Sequence, residues 1–253
     1  MKTIYVIAKN TFREAIRDKI LYGILGFAIL YLFLTLFLAK LSLEELPMIK
    51  SFGLAGIYIF GVLITIFLGA TLIFKEIERR TLYFVISKPV SRAQVIVGKF
   101  FGLYAAVALT VLVMALFYFG VIAYQGGGLD LGGLVAVFLE LLELLLLTAL
   151  LTFFSAVMAP LLATISAIML LFVGHLIDGA VMTLQAEAGG AAFQFFNALR
   201  FVLPNLSKFN VRNIVVHELP VEPSSIVVAV VYAVVYSALL LYLAAVFFKR
   251  REL

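Results

Sequence analysis

The sequence predicts an all-α integral membrane protein with six transmembrane helices, and three observations carry that reading. Of the 253 residues, 65% are hydrophobic and 13% charged, with a mean hydropathy of +1.19; this leaves too little polar surface to coat a soluble globule. The apolar residues fall into runs long enough to cross a hydrocarbon core as helices. The basic residues gather at the ends of those runs, so the net charge of +5 reads as membrane orientation and not as nucleic-acid binding. The chain contains no cysteine, which excludes disulfides, thiolate metal sites and cysteine nucleophiles.

The first element is an amphipathic helix over residues 1–19. A 3.6-residue period sets Lys9, Arg13 and Arg17 on one face and Ile4, Ala8, Phe12 and Ala15 on the other, as in a helix lying at the membrane surface. A signal peptide fits less well. The charged stretch is too long for one, the apolar run that follows over 20–39 is too extended, and the small-residue cleavage pattern is weak. That run is the first span. A loop over 40–50, with Glu44, Glu45 and Pro47, leads to the second span at 52–74.

Residues 75–99, KEIERRTLYFVISKPVSRAQVIVGK, are too charged to cross a bilayer and join two spans. Glu76 can pair with Arg79 and Arg80 at helical spacing, while Leu82, Tyr83, Phe84, Val85 and Ile86 form an apolar tip with no intramolecular core to enter. Pro89 disfavours helix at Lys88, and Ser91-Arg92-Ala93-Gln94 reads as a capping box that starts a new helix. Val90 and Val95 sit at the positions of a hydrophobic staple. The design is that of a docking surface.

The third span, 100–124, ends at Gln125-Gly126-Gly127-Gly128, where glycine permits the positive backbone angles of a reversal. From Leu131 to Leu184 the chain is apolar for longer than one span needs, and it breaks best over 155–162, at Pro160. This gives a fourth span at 133–154 and a fifth at 161–177. An insert over 178–225 carries Phe193, Phe195, Phe196 and Phe201 among Gln194, Asn197 and Arg200, which suits helices at the outer interface. The sixth span is 226–248.

Six spans put both termini on one side. Fourteen of the 19 Lys and Arg residues then fall on the side of the termini and residues 75–99, and five on the other. The positive-inside rule makes the first side cytoplasmic and the insert outer.

Glu76-x-Glu78-x-x-Thr81-Leu82, followed by Ser87-Lys88-Pro89-Val90-Ser91-Arg92 and Gly98-Lys99, closely resembles the first cytoplasmic loop of ABC-2 type transporter permeases. The likeness is greatest to the branch that includes the permease of the nitrous-oxide-reductase maturation system. Residues 203–210 resemble a segment common in that branch, and the amphipathic helix resembles the family's elbow helix. The position before Thr81, often glycine in the wider family, is Arg80 here. The resemblance implies one permease domain over 1–253, with a coupling helix in 75–99 that fits a cleft on a separate ATPase. Carried over residue by residue, the coupling set is Glu76, Glu78, Arg79, Arg80, Thr81, Leu82, Phe84, Lys88, Pro89, Ser91 and Arg92. It further implies two ATPase copies, which bind the ATP and Mg, and a second permease copy, identical or not. The expected location is the cytoplasmic membrane of a prokaryote, and the expected activity is export.

No enzyme chemistry emerges beside this. Gly98-Lys99 has Ala93 where a nucleotide loop needs its first glycine and Phe100 after the lysine, so this chain carries no ATPase site of that kind. There is no G-x-S-x-G or H-E-x-x-H, and His175 and His217 define no metal site. Asn205-Leu206-Ser207 matches a glycosylation acceptor, a pattern too short to carry weight. Two other classes fit the composition: a secondary transporter driven by an ion gradient, and a membrane scaffold. The first calls for inverted repeats with broken helices in matching places, which the sequence does not display. Neither accounts for the apolar tip of residues 75–99.

Glu140 and Glu143 lie on one face of the fourth span, where ionisable groups are costly and usually face partners or a water-filled cavity. If the hairpin turns near Met158, antiparallel pairing sets Glu140 opposite His175 and Val137 opposite Asp178, about 25 Å from the cytoplasmic end. The expectation is a polar cluster of Glu140, His175, Glu143 and Asp178, acting as a clasp between spans or as part of an outward exit path. A later start of the fourth span would instead leave both glutamates in solvent.

Overall fold

The computed structural model describes residues 2–40, 45–78, 91–186 and 190–250, and every regular element among them is helical. The helices are α1 (Lys2–Ile16), α2 (Lys19–Ala39), α3 (Glu45–Glu78), α4 (Arg92–Tyr124), α5 (Leu131–Val157), α6 (Pro160–Ala186), α7 (Ala191–Val202), α8 (Arg212–Val216) and α9 (Pro223–Arg250). A short 3₁₀ turn, Ser207–Phe209, precedes α8. Six of these are long and apolar enough to cross a membrane, over Lys19–Ala39, Glu45–Ala70, Arg92–Tyr124, Leu131–Val157, Pro160–Leu184 and Pro223–Phe248.

Asp18 ends α1 and caps α2, its carboxylate accepting from the Ile20 amide at 3.1 Å. The inner face of α1 lies directly on α4. A Cβ on Gly98 would stand 2.8 Å from the Ile7 side chain, and one on Gly102 would overlap the Ala8 carbonyl. The two glycines, four residues apart, therefore let the backbones approach as small residues do in membrane helix pairs. On α2, Leu21, Ala28, Leu32, Thr35 and Ala39 form the buried stripe, while Phe27, Phe33 and Phe37 face outward.

At the centre is α5, packed on α3, α4, α6 and α9 and buried along most of its length, with Leu139, Leu144, Leu146, Leu147 and Leu150 fully enclosed. One end of the bundle gathers the start of α4, the reversal between α5 and α6, and the last turn of α9. There Ile96, Ala156 and Ala244 share a core, and the Arg92 guanidinium donates to the Phe248 carbonyl at 3.0 Å. The start of α4 and the last turn of α9 therefore lie at the same end, with α1 packed beside them on α4.

The helices run past the limits read from hydropathy, for physical reasons. The second span, α3, begins at Glu45, so Pro47 and Lys50, expected in a loop, are helical. Proline is tolerated in a first turn, where its missing N–H would have had no intrahelical partner. The Lys50 ammonium reaches Glu218 at 3.0 Å and Asp130 at 3.6 Å. The third span, α4, begins at Arg92 on the expected capping box: the Gln94 amide donates to Ser91 Oγ at 3.3 Å, and the Ser91 amide to Gln94 Oε1 at 3.2 Å. It closes at Gly126, whose φ is +76°.

The fifth span, α6, corrects the sequence reading most. It continues nine residues beyond Ile177, so Asp178, taken as the first residue of the outer insert, is helical. Its carboxylate is held by side chains of the insert and does not end the helix. The insert proper is α7, the 3₁₀ turn and α8. Its chain crosses α6 at Gly174, whose carbonyl accepts from the Leu206 amide at 3.0 Å and which sits against the Pro204 carbonyl.

Candidate functional site

Three helices and the insert meet at a buried polar cluster inside the bundle. From α5 come Glu140 and Glu143, 5% and 2% exposed. Glu140 lies ten residues into the helix from Asp130, about 15 Å from that end. From α3 comes Tyr58, whose hydroxyl donates to Glu143 Oε1 at 3.0 Å. From α6 comes His175, whose Nε2 lies 3.4 Å from the same carboxylate oxygen and 3.3 Å from the Tyr58 hydroxyl. The Leu171 carbonyl is 3.2 Å from His175 Nδ1 and can only accept, which orients the ring with its Nδ1–H toward that carbonyl.

Above the cluster, α8 packs on both α3 and α5. Its Arg212 guanidinium lies 4.0 Å over the Tyr58 ring, with Nε donating to Asn210 Oδ1 at 3.0 Å. Glu140 reaches toward Gly61 of α3 and Val111 of α4. One of its oxygens, Oε1, is buried with no hydrogen-bond partner.

The residues set together by antiparallel counting thus divide into two groups. His175 meets Glu143 and not Glu140, one turn of α5 away from the expected pairing, although the reversal falls at Met158 and Ala159 as expected. Asp178 lies in a separate network with the insert. Arg200 Nε is 2.9 Å from Asp178 Oδ1, Asn205 donates to Oδ2 at 2.7 Å, and the Ser207 hydroxyl donates to the same oxygen. Asn205 is buried, and its amide donates to the Tyr232 hydroxyl at 2.8 Å. This network fastens α7 and the crossing chain to α6.

A third polar group closes the other end of the bundle from the termini. Asp130 caps α5 through the Gly133 amide at 3.1 Å, accepts from the Tyr118 hydroxyl at 2.9 Å and pairs with Lys50. An open cleft of about 590 Å³ lies beside it, between the glycine turn and Glu218, the described non-glycine residue with a positive φ, +56°.

Of the coupling residues, Glu76 and Glu78 lie in the last turns of α3, Ser91 caps α4 and Arg92 begins it. Arg79, Arg80, Thr81, Leu82, Phe84, Lys88 and Pro89 lie outside the described residues, as does Val90 of the staple. Val95 is buried.

Tyr58 and Arg212 are the cluster members that sequence reasoning missed. A tyrosine inside an apolar span marks no partner by itself. Arg212 is one of the five basic residues on the outer side and sits between Val211 and Asn213, where nothing in the sequence singles it out from the other four.

A family model described as ABC-2 family transporter protein matches residues 5–253. No curated protein sequence matches the chain significantly.

Proposed function

Because this chain belongs to the ABC-2 family of transporter proteins, we propose that it is the permease subunit of an exporter energised by a separate ATPase. The observation that carries the reading is the form of α3 and α4. They contain 34 and 33 residues, so each is about 50 Å long against a hydrocarbon core of about 30 Å. The start of α4 lies beside the last turn of α9, and the sequence that joins α3 to α4 carries an apolar run between charges.

In this mechanism Glu76–Arg92 docks on the ATPase, which binds ATP and Mg. Closure of two nucleotide-bound ATPase copies pushes α3 and α4 as levers, and their packing on α2 and α5 carries the push into the bundle. The push shifts the balance between inward- and outward-facing states. Six spans make half a pathway, so two permease copies face each other, with the basic end in the cytoplasm by the positive-inside rule.

The test is the composition of the native assembly. Purified in mild detergent through a tag on this chain, it should contain two permease and two ATPase copies by native mass. A stable, transport-active assembly without an ATPase contradicts the proposal.

A further inference from the structure

The two glutamates of α5 are unequally served. Glu143 has the Tyr58 hydroxyl and His175. Glu140 keeps Oε1 buried and unmet, packed close to the Gly61 backbone, where a Cβ would stand 3.2 Å from that oxygen. An unmet buried polar atom is destabilising, more so on a charged group, and ionisable groups inside a membrane usually face a partner or a pathway. Nor does Arg212 relieve it. Its guanidinium lies on the Tyr58 ring, and among the described residues it forms no ion pair with either glutamate. Two buried carboxylates beside an aromatic face already bearing a cation make the acceptor set that recognises an ammonium or guanidinium group.

We propose that Glu140, Glu143 and Tyr58 form a binding site for one cationic nitrogen group, with Arg212 as the internal cation that guards it from the α8 side. A ligand's protonated amine or guanidinium displaces Arg212 and takes the free oxygen of Glu140. His175, the remaining titratable group of the cluster, orients Glu143. The site stands on these contacts alone. That the ligand is the transported molecule, which then belongs to the amines or guanidines, rests on the permease reading.

The absence of cysteine permits a direct test. Arg212→Cys is labelled with cationic trimethylammonioethyl methanethiosulfonate and with anionic sulfonatoethyl methanethiosulfonate. The ratio of rates is compared with that at Asn213→Cys, an exposed neighbour that keeps Arg212. The cation preference at 212 should exceed the reference about tenfold and fall to it when Glu140→Gln and Glu143→Gln are added. Equal ratios at 212 and 213, or a preference that survives both glutamines, overturn the site. Should Arg212→Cys not elute as a single species, ethylguanidinium at constant ionic strength should restore its elution where sodium does not; no restoration likewise overturns it. Transport is not read in either arm, so failure here leaves the permease reading standing.

Discussion

The carboxylate of Glu143 takes the Tyr58 hydroxyl at 3.0 Å and faces His175 Nε2 at 3.4 Å, so one side chain of α5 ties α3 and α6 to the centre of the bundle. Tyr58→Phe leaves the packing volume and removes the donor. It should destabilise the protein by about 1–3 kcal/mol, read as a lower melting temperature in detergent. The pair also specifies a crosslink: Glu143→Cys with His175→Cys should oxidise faster than Glu140→Cys with His175→Cys. The reverse order would mean that α5 and α6 pair in a different register.

The close approach of α1 to α4 depends on glycine. At Gly102 any Cβ overlaps the Ala8 carbonyl, so Gly102→Leu should lift α1 off the bundle at a cost of about 1–3 kcal/mol. Limited proteolysis within 2–16 measures this directly. Unchanged protection would show that α1 has another anchor.

Asp130 combines a helix cap, an acceptor for Tyr118 and an ion pair with Lys50. Asp130→Asn keeps an acceptor for the first two and loses the charge. Its effect should be the smaller of the two, since Lys50 keeps Glu218, while Asp130→Ala should cost about 1–3 kcal/mol. Melting temperatures of the two variants separate cap from charge, and equal losses would assign the effect to the ion pair.

Much of the fold was legible because hydropathy is a strong signal when helices must satisfy their own backbone groups. Helix ends were not. Lys50 and Asp178 look like solvated loop residues in sequence, yet each lies inside a helix because a distant side chain, Glu218 or Arg200, meets it there. Polarity alone does not distinguish a charge in water from one with a buried partner. The Ser91 cap was legible because its partners are three residues apart. The polar cluster was half legible: Glu140, Glu143 and His175 stand out as ionisable groups among leucines, whereas the roles of Tyr58 and Arg212 come from the packing of α3 and α8 on α5.

Passage of the ATPase stroke through residues 75–99 to α3 and α4 is tested at Leu82 and Phe84. Leu82→Asp and Phe84→Asp are each expressed with the ATPase, and ATP hydrolysis bound to the tagged permease is measured after confirming membrane insertion. The account predicts loss of the co-purifying ATPase and at least about a tenfold fall in coupled hydrolysis, since a charge at the centre of an apolar contact typically costs 2 kcal/mol or more. Full association and coupled hydrolysis in both variants would contradict it.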